Sequence, residues 1–216
     1  MRQYNPNVAV FQNQIAELPA PRKFSEGPIR LFFGALNREA DWPEIIPVID
    51  KCLSGSSHEV TVIHDRKFYD ALATKNKRFF PVCPFAQYRE LLSQTDIAFL
   101  PLKDTPFNRM KSDVKVLECG ANGVVGLASP VVYENSIRDG DTGSLYRSPK
   151  EFGEKLSLLM RDGELRRRIA ANAYQWVKHN RMLSQHYRAR LQWYQQLRSR
   201  YAELTEEIYH RMNQRG

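Results

Sequence analysis

The run from Ile97 to Ser129 restricts this chain more than any other part of it. Ile97-Ala-Phe-Leu-Pro-Leu102 is an unbroken apolar stretch, and Val124–Ala128 is a second one. Apolar runs without alternation belong to strands buried on both faces, which points to a parallel sheet covered by helices. Between them lies a polar loop that opens a helix near Ser112-Asp113, either of which can cap it by accepting a first-turn N–H. Val114, Leu117 and Ala121 then share one helical face, while Lys111, Lys115 and Glu118 fall near another. The mouth of this strand–loop–helix unit therefore presents two ammonium groups, free backbone N–H groups and, one turn deeper, a carboxylate. N–H groups with lysines suit a diphosphate, and the carboxylate suits ribose hydroxyls. The same spacing also describes a solvated helix face. Position favours a ligand, because open α/β sheets bind outside the carboxyl ends of their strands.

The remaining chain alternates in the same way. Val8–Phe11 reads as a short strand, followed by a Pro-containing link through Pro28. Ile29–Phe33 is a strand ending at Gly34, and Asp41-Trp-Pro-Glu44 starts a helix with Asp41 as N-cap and Pro in the first turn. Glu59–His64, Arg78–Val82, 97–102 and Val124–Ala128 are strands; Arg66–Thr74, Phe85–Ser93 and 112–121 are helices. Beyond Ser148 the pattern is helical: Pro149–Arg161, Glu164–Lys178 and a long segment from Leu183 to about Met212. The expected organisation is an N-terminal strand and linker (1–28), a Rossmann-like domain (29–165) and a C-terminal helical extension (166–216).

Composition excludes several classes. The 42% hydrophobic and 26% charged content suits a globular domain, and no apolar run approaches the roughly 20 residues that cross a bilayer. The N-terminus lacks the apolar stretch of a signal peptide. Cys52, Cys83 and Cys119 are odd in number and far apart, which argues for a reducing, cytoplasmic setting without a zinc site or disulfide framework. Residues 1–146 carry 17 Lys/Arg and 17 Asp/Glu, whereas residues 147–216 carry 15 and 7, so the entire net charge of +8 sits in the last third. That basic arm can meet an acidic partner or the surface of an anionic membrane, but no nucleic-acid motif accompanies it.

Five stretches in order resemble the C-terminal, donor-binding half of glycosyltransferases with the two-domain GT-B fold, in the family-4-like group. Val8-Ala-Val-Phe-Gln-Asn-Gln-Ile15 is similar to the segment where that family crosses between its halves, with Gln14 in place of a glycine. Phe32-Phe-Gly-Ala-Leu36 resembles the first strand and glycine turn. Val82-Cys-Pro-Phe-Ala-Gln-Tyr-Arg-Glu-Leu-Leu92 resembles the base-binding loop and following helix. Gly123-Val-Val-Gly-Leu-Ala-Ser129 resembles a later strand of that family, and Ile137-Arg-Asp-Gly-Asp-Thr-Gly-Ser-Leu145 resembles the stretch that precedes the helices closing the domain.

The resemblance implies roles for individual residues. Glu118 falls on the glutamate that binds ribose hydroxyls. The Ser112–Asp113–Val114 backbone meets the diphosphate, with Lys111 and Lys115 neutralising it. Pro84 and Phe85 lie against the base, and Gly34 lets the first loop approach the phosphates. Asn108 belongs to the same phosphate loop, and Arg38 is the nearest cation to positions where the family carries Arg and Lys. Read from the residues alone, Phe85 equally suits a helix-start core position, Arg38 a solvated loop and Asn108 its own Asx turn. His64, ending a strand, is the one histidine placed to see a ligand, the alternative being a capped structural histidine. Met110 stands where the family has a glutamate over the transferred sugar.

The resemblance further implies a UDP- or GDP-sugar donor, no tightly bound cofactor, and Mg²⁺ only as a companion of the diphosphate. It implies an N-terminal acceptor domain in cis or in trans; a homodimer through the C-terminal helix is the other partner its aromatic stripe suggests. Three classes remain open on the sequence: the donor half of a glycosyltransferase, a catalytically silent binding module, and a basic helical adaptor.

Overall fold

The computed structural model describes residue 5, residues 7–22, residue 24 and residues 26–213. Six strands form one sheet: β1 (Arg30–Gly34), β2 (Glu59–Ile63), β3 (Lys77–Phe80), β4 (Ile97–Leu100), β5 (Val125–Ala128) and β6 (Ser144–Leu145). Their order is β3-β2-β1-β4-β5-β6 and every neighbouring pair is parallel. The helices are α1 (Ile46–Leu53), α2 (Arg66–Ala71), α3 (Phe85–Ser93), α4 (Val114–Ala121), α5 (Pro130–Tyr133), α6 (Pro149–Arg161), α7 (Gly163–Asn180), α8 (Leu183–Ser199) and α9 (Tyr201–Asn213). This is the helix-covered parallel sheet that the apolar runs predict. Strand order reverses between β1 and β4, so their carboxyl ends splay into a crevice.

Alternate residues of each strand feed two cores. Leu31, Phe33, Val60, Val62, Ile97 and Phe99 pack against Ile45, Ile49, Phe68, Phe152, Leu156 and Ile169 on one face. Phe32, Ile63, Ala98, Leu100 and Ala128 pack against Tyr88, Leu92, Val116, Cys119 and Tyr133 on the other, which places α3, α4 and α5 there. α7 lies on α4, closely enough that a Cβ on Gly120 would stand 2.9 Å from Val177 Cγ2. Ile169, Ala170, Ala173 and Val177 of α7 are buried, so the part of the chain that projects from the sheet begins with α8, well after residue 166. No residue of α8 or α9 is buried. Among the described residues no helix is long and apolar enough to cross a membrane.

The structure departs from expectation at several places. Val8–Phe11 forms no strand, and Val10 is 85% exposed. The segment instead makes one bridge, Ile15 with Met182, because its backbone partners are the Arg181 carbonyl and the Leu183 amide at the α7–α8 junction rather than a sheet edge. Asp41 does not cap a helix; a 3-10 turn, Pro43–Ile45, precedes α1 with Trp42 at its N-cap. The long final helix is broken at Arg200 (φ −101°, ψ 16°). β6 and α5 are too short to leave a periodic signal.

Candidate functional site

The crevice between β1 and β4 is floored by glycine. Gly34 ends β1, and a Cβ there would lie 2.6 Å from the Phe32 ring and 3.0 Å from Tyr88. Only a hydrogen lets β1 turn away beneath those rings. The loop that follows is organised by Asp41, whose carboxylate accepts from the Asn108 amide at 2.8 Å, the Lys103 backbone N–H at 3.0 Å and Arg38 Nη1 at 3.3 Å. Arg38 is thus no solvated loop residue; its side chain is 13% exposed and held at the crevice. The second Asn108 amide hydrogen goes to the Lys103 carbonyl, so this side chain fixes its own loop to the first one.

α3 and α4 supply the opposite wall. Glu118 is 9% exposed, a burial a carboxylate tolerates only when compensated. Tyr88 Oη donates to Glu118 Oε2 at 3.1 Å, and Lys115 Nζ lies 3.5 Å from the same oxygen. Lys115 also donates to Tyr88 Oη at 2.7 Å and stands 4.1 Å from its ring centroid. Burial first, then the neighbouring Glu118 charge, raises the Tyr88 phenol well above its usual pKa, so it remains a donor. Phe85, 61% exposed, stacks over Tyr88 at 6.1 Å, and Pro84 is the N-cap residue of their helix.

The start of α4 is uncapped, contrary to the sequence expectation. Ser112 is exposed, and Asp113 sits at the N-cap position with no side-chain bond to the helix. Its carboxylate is drawn away by Arg181 Nη2 at 2.6 Å and Ser136 Oγ at 2.5 Å. The first-turn N–H groups of α4 are left without a side-chain acceptor, the arrangement that attracts anions. Lys111 lies 4.9 Å from the Phe107 ring centroid, and burial, followed by repulsion from Arg38, lowers its pKa.

Gly34, Arg38, Phe85, Lys115 and Glu118, chosen on the sequence, therefore line one cleft of about 390 Å³, together with Ala35, Leu36, His64, Cys83 and Tyr88. Pro84, Asn108, Lys111, Ser112 and Asp113 do not line it; Pro84 precedes Phe85, and Asn108 holds Asp41, which in turn holds Arg38. Phe85 and Glu118 also border a second hollow of about 230 Å³, closed by the 14–19 segment, Arg89 and Val114. Tyr88, Asp41 and Arg181 carried no sequence signal as site residues, since each makes contacts across more than 25 positions. Among the described residues no group of three His, Cys, Asp or Glu side chains is placed to hold a metal ion.

The crevice, cationic and carboxylate-bearing, lies at the switch point of a helix-covered parallel sheet, where open α/β folds place their ligands. The family described as glycosyl transferase-like matches residues 30–196, and the chain belongs to it. Its fold is that of the C-terminal half of GT-B glycosyltransferases. The C-terminal domain of a group 1 glycosyl transferase, LpcC of Francisella tularensis, is 20% identical with a TM-score of 0.57, covering 70% of this chain and 85% of that one. HepE of Anabaena, in complex with UDP and glucose, is 12% identical with a TM-score of 0.60 over 82% of this chain and 48% of its own. A glycosyltransferase of Rickettsia africae is 14% identical, TM-score 0.63, over 80% and 48% respectively. This chain thus spans about half the length of the latter two proteins. No curated protein sequence matches.

Proposed function

We propose that this chain binds a nucleoside diphosphate sugar in the β1–β4 cleft and acts as the donor half of a glycosyltransferase. The observation that carries the reading is the Lys115–Tyr88–Glu118 cluster: a buried carboxylate is held by a phenol and a cation at the switch point, with the uncapped start of α4 close in sequence. Both protein contacts to Glu118 use Oε2, which leaves Oε1 for ribose hydroxyls. Pro84 and exposed Phe85 offer a face to the base. The free N–H groups at the Ser112–Val114 turn, Lys111, Lys115 and Arg38 would neutralise the diphosphate, and the leaving group needs such preorganised charge as the sugar–oxygen bond breaks. Mg²⁺, where present, would arrive on the diphosphate. HepE, which shares the fold, is seen in complex with UDP, and this supports a nucleoside diphosphate sugar as the donor, a UDP- or GDP-sugar on the family resemblance.

The acceptor would be held by a second domain in cis or in trans, positioned for attack across the cleft. The exposed stripe of Tyr187, Leu191, Tyr194, Tyr201 and Ile208 is the surface such a domain, or a second copy of the chain, would cover. Three free cysteines suit the cytoplasm, and the basic arm suits residence at an anionic membrane surface.

One residue favours a second reading. Met110, 87% exposed, replaces the glutamate that faces the sugar in the resembled family, which fits nucleotide binding without transfer. Met110→Glu creating turnover of a nucleotide sugar in the complete protein would decide for it.

Thermal shifts with UDP, GDP, ADP, CDP and dTDP, each with and without Mg²⁺, test the main reading. A ligand at 100 times its Kd should add about 2.7 kcal/mol, a rise of a few degrees. A response to one diphosphate that disappears in Glu118→Ala supports the site. Silence across the panel at millimolar concentration would sink it.

A further inference from the structure

We infer that His64 is a nucleoside-contacting residue of the cleft, supplying through its imidazole ring a hydrogen bond to the base or ribose of a bound nucleoside diphosphate. The inference rests on the donor-site reading above and adds a residue to it.

The backbone gives the first reason. His64 follows β2 with φ +74°, and the Asp65 N–H donates to the Ile63 carbonyl at 3.0 Å across it. A bond from residue i+2 back to i over a central φ near +75° is the strained form of the γ-turn. Glycine adopts that conformation at no steric cost, whereas an imidazole-bearing residue does not. Strain of this kind persists where something else requires the side chain.

The local structure does not require it. Asp65, not His64, caps α2, accepting from Phe68 N at 2.9 Å, and Asp65 also takes the Trp42 indole N–H at 2.8 Å. His64 contributes only its backbone N–H, to the Phe80 carbonyl at 3.0 Å. Its Nδ1 is buried and has no hydrogen-bond partner among the described residues. That nitrogen lies beneath the cleft surface, so the ring nitrogen open to a ligand is Nε2, which also has no protein partner among the described residues. The ring lines the cleft with Phe85, Tyr88 and Glu118, the wall assigned to base and ribose.

Its charge state selects the part of the ligand. Burial, and then repulsion from Lys115, lowers the pKa of His64, so the ring is neutral at neutral pH. A neutral imidazole beside a lysine suits an uncharged polar group better than a phosphate.

The test pairs stability with affinity in His64→Gly and His64→Asn, since Asn also tolerates the left-handed region. His64→Gly should melt at or above the wild-type temperature yet bind the recognised nucleoside diphosphate about tenfold more weakly, the scale of one hydrogen bond. The nucleoside monophosphate should lose the same factor. His64→Asn should fold and bind between the two. Unchanged affinity in both variants, with wild type binding normally, overturns the His64 assignment alone. A loss confined to the diphosphate moves the contact to the phosphates and overturns it too, as does a lowered melting temperature in both variants, which would mark a structural histidine. Wild type that binds no nucleoside diphosphate removes the donor-site reading and this inference together.

Discussion

Burial of Glu118 creates a debt at the level of single groups that Tyr88 and Lys115 discharge, and the tyrosine hydroxyl is the hinge of the arrangement. It donates to the carboxylate and accepts from the ammonium at once. Tyr88→Phe keeps the ring, its edge contact with Phe32 at 5.6 Å and its stack with Phe85, but removes that hinge. The expected cost is about 1–2 kcal/mol of folding stability, the range for stripping a partner from a buried polar group. Nucleoside diphosphate affinity should fall three- to tenfold, because Glu118 would no longer be oriented. Urea unfolding and titration calorimetry measure the two effects, and an unchanged affinity would remove Tyr88 from the site. Glu118 and Lys115 were legible in the sequence because helical spacing puts them on one turn. Tyr88 was not, since an aromatic at that spacing in α3 reads as core, and its link to Glu118 spans 30 residues.

Between elements, the informative contact is Arg181, at the α7–α8 junction. It binds Asp113 at the start of α4, the Asn13 carbonyl of the N-terminal segment at 3.0 Å and Ser136 at 3.4 Å, and is 5% exposed. Sequence rules predict a capped α4 because Ser-Asp before a helix is a local signal. A buried guanidinium 68 residues away outcompetes the local bond, and no local rule sees it. The same long reach explains the missing strand at 8–11, whose neighbourhood pairs with the α7–α8 junction. Arg181→Ala should cost about 3 kcal/mol, the low end for breaking a buried pair. It should also weaken nucleoside diphosphate binding about tenfold, because a released Asp113 would cap α4 and set a negative charge where the phosphates would lie. Adding Asp113→Asn should recover most of the affinity without recovering all the stability. Equal affinity in wild type and Arg181→Ala would show that the uncapped helix start does not serve the ligand.

At the scale of the molecule, the strand–helix alternation between residues 29 and 128 was readable to within a few residues because parallel strands buried on both faces leave unbroken apolar runs. What those runs do not encode is which face each helix covers, and that assignment carries a consequence for stability. Cys119 and Tyr133 share the core beneath α3, α4 and α5, the face that builds the cleft. Burial raises the Cys119 thiol from 9.0 to about 12 and the Tyr133 phenol from 10.0 to about 12. A folded-state pKa above the unfolded one means the folded chain holds its proton more tightly. The associated stability is therefore complete below pH 9 and drains away as pH rises towards 12, at up to about 1.4 kcal/mol per pH unit for each group. Melting temperatures should hold constant to about pH 9 and then fall, with the thiol responsible for the first unit and the phenol joining above pH 10. Cys119→Ala should start lower, from the lost methylene-sized packing, yet stay flat to about pH 10. Parallel decline of variant and wild type between pH 9 and 10 would place the alkaline weakness elsewhere, outside the face that carries the cleft.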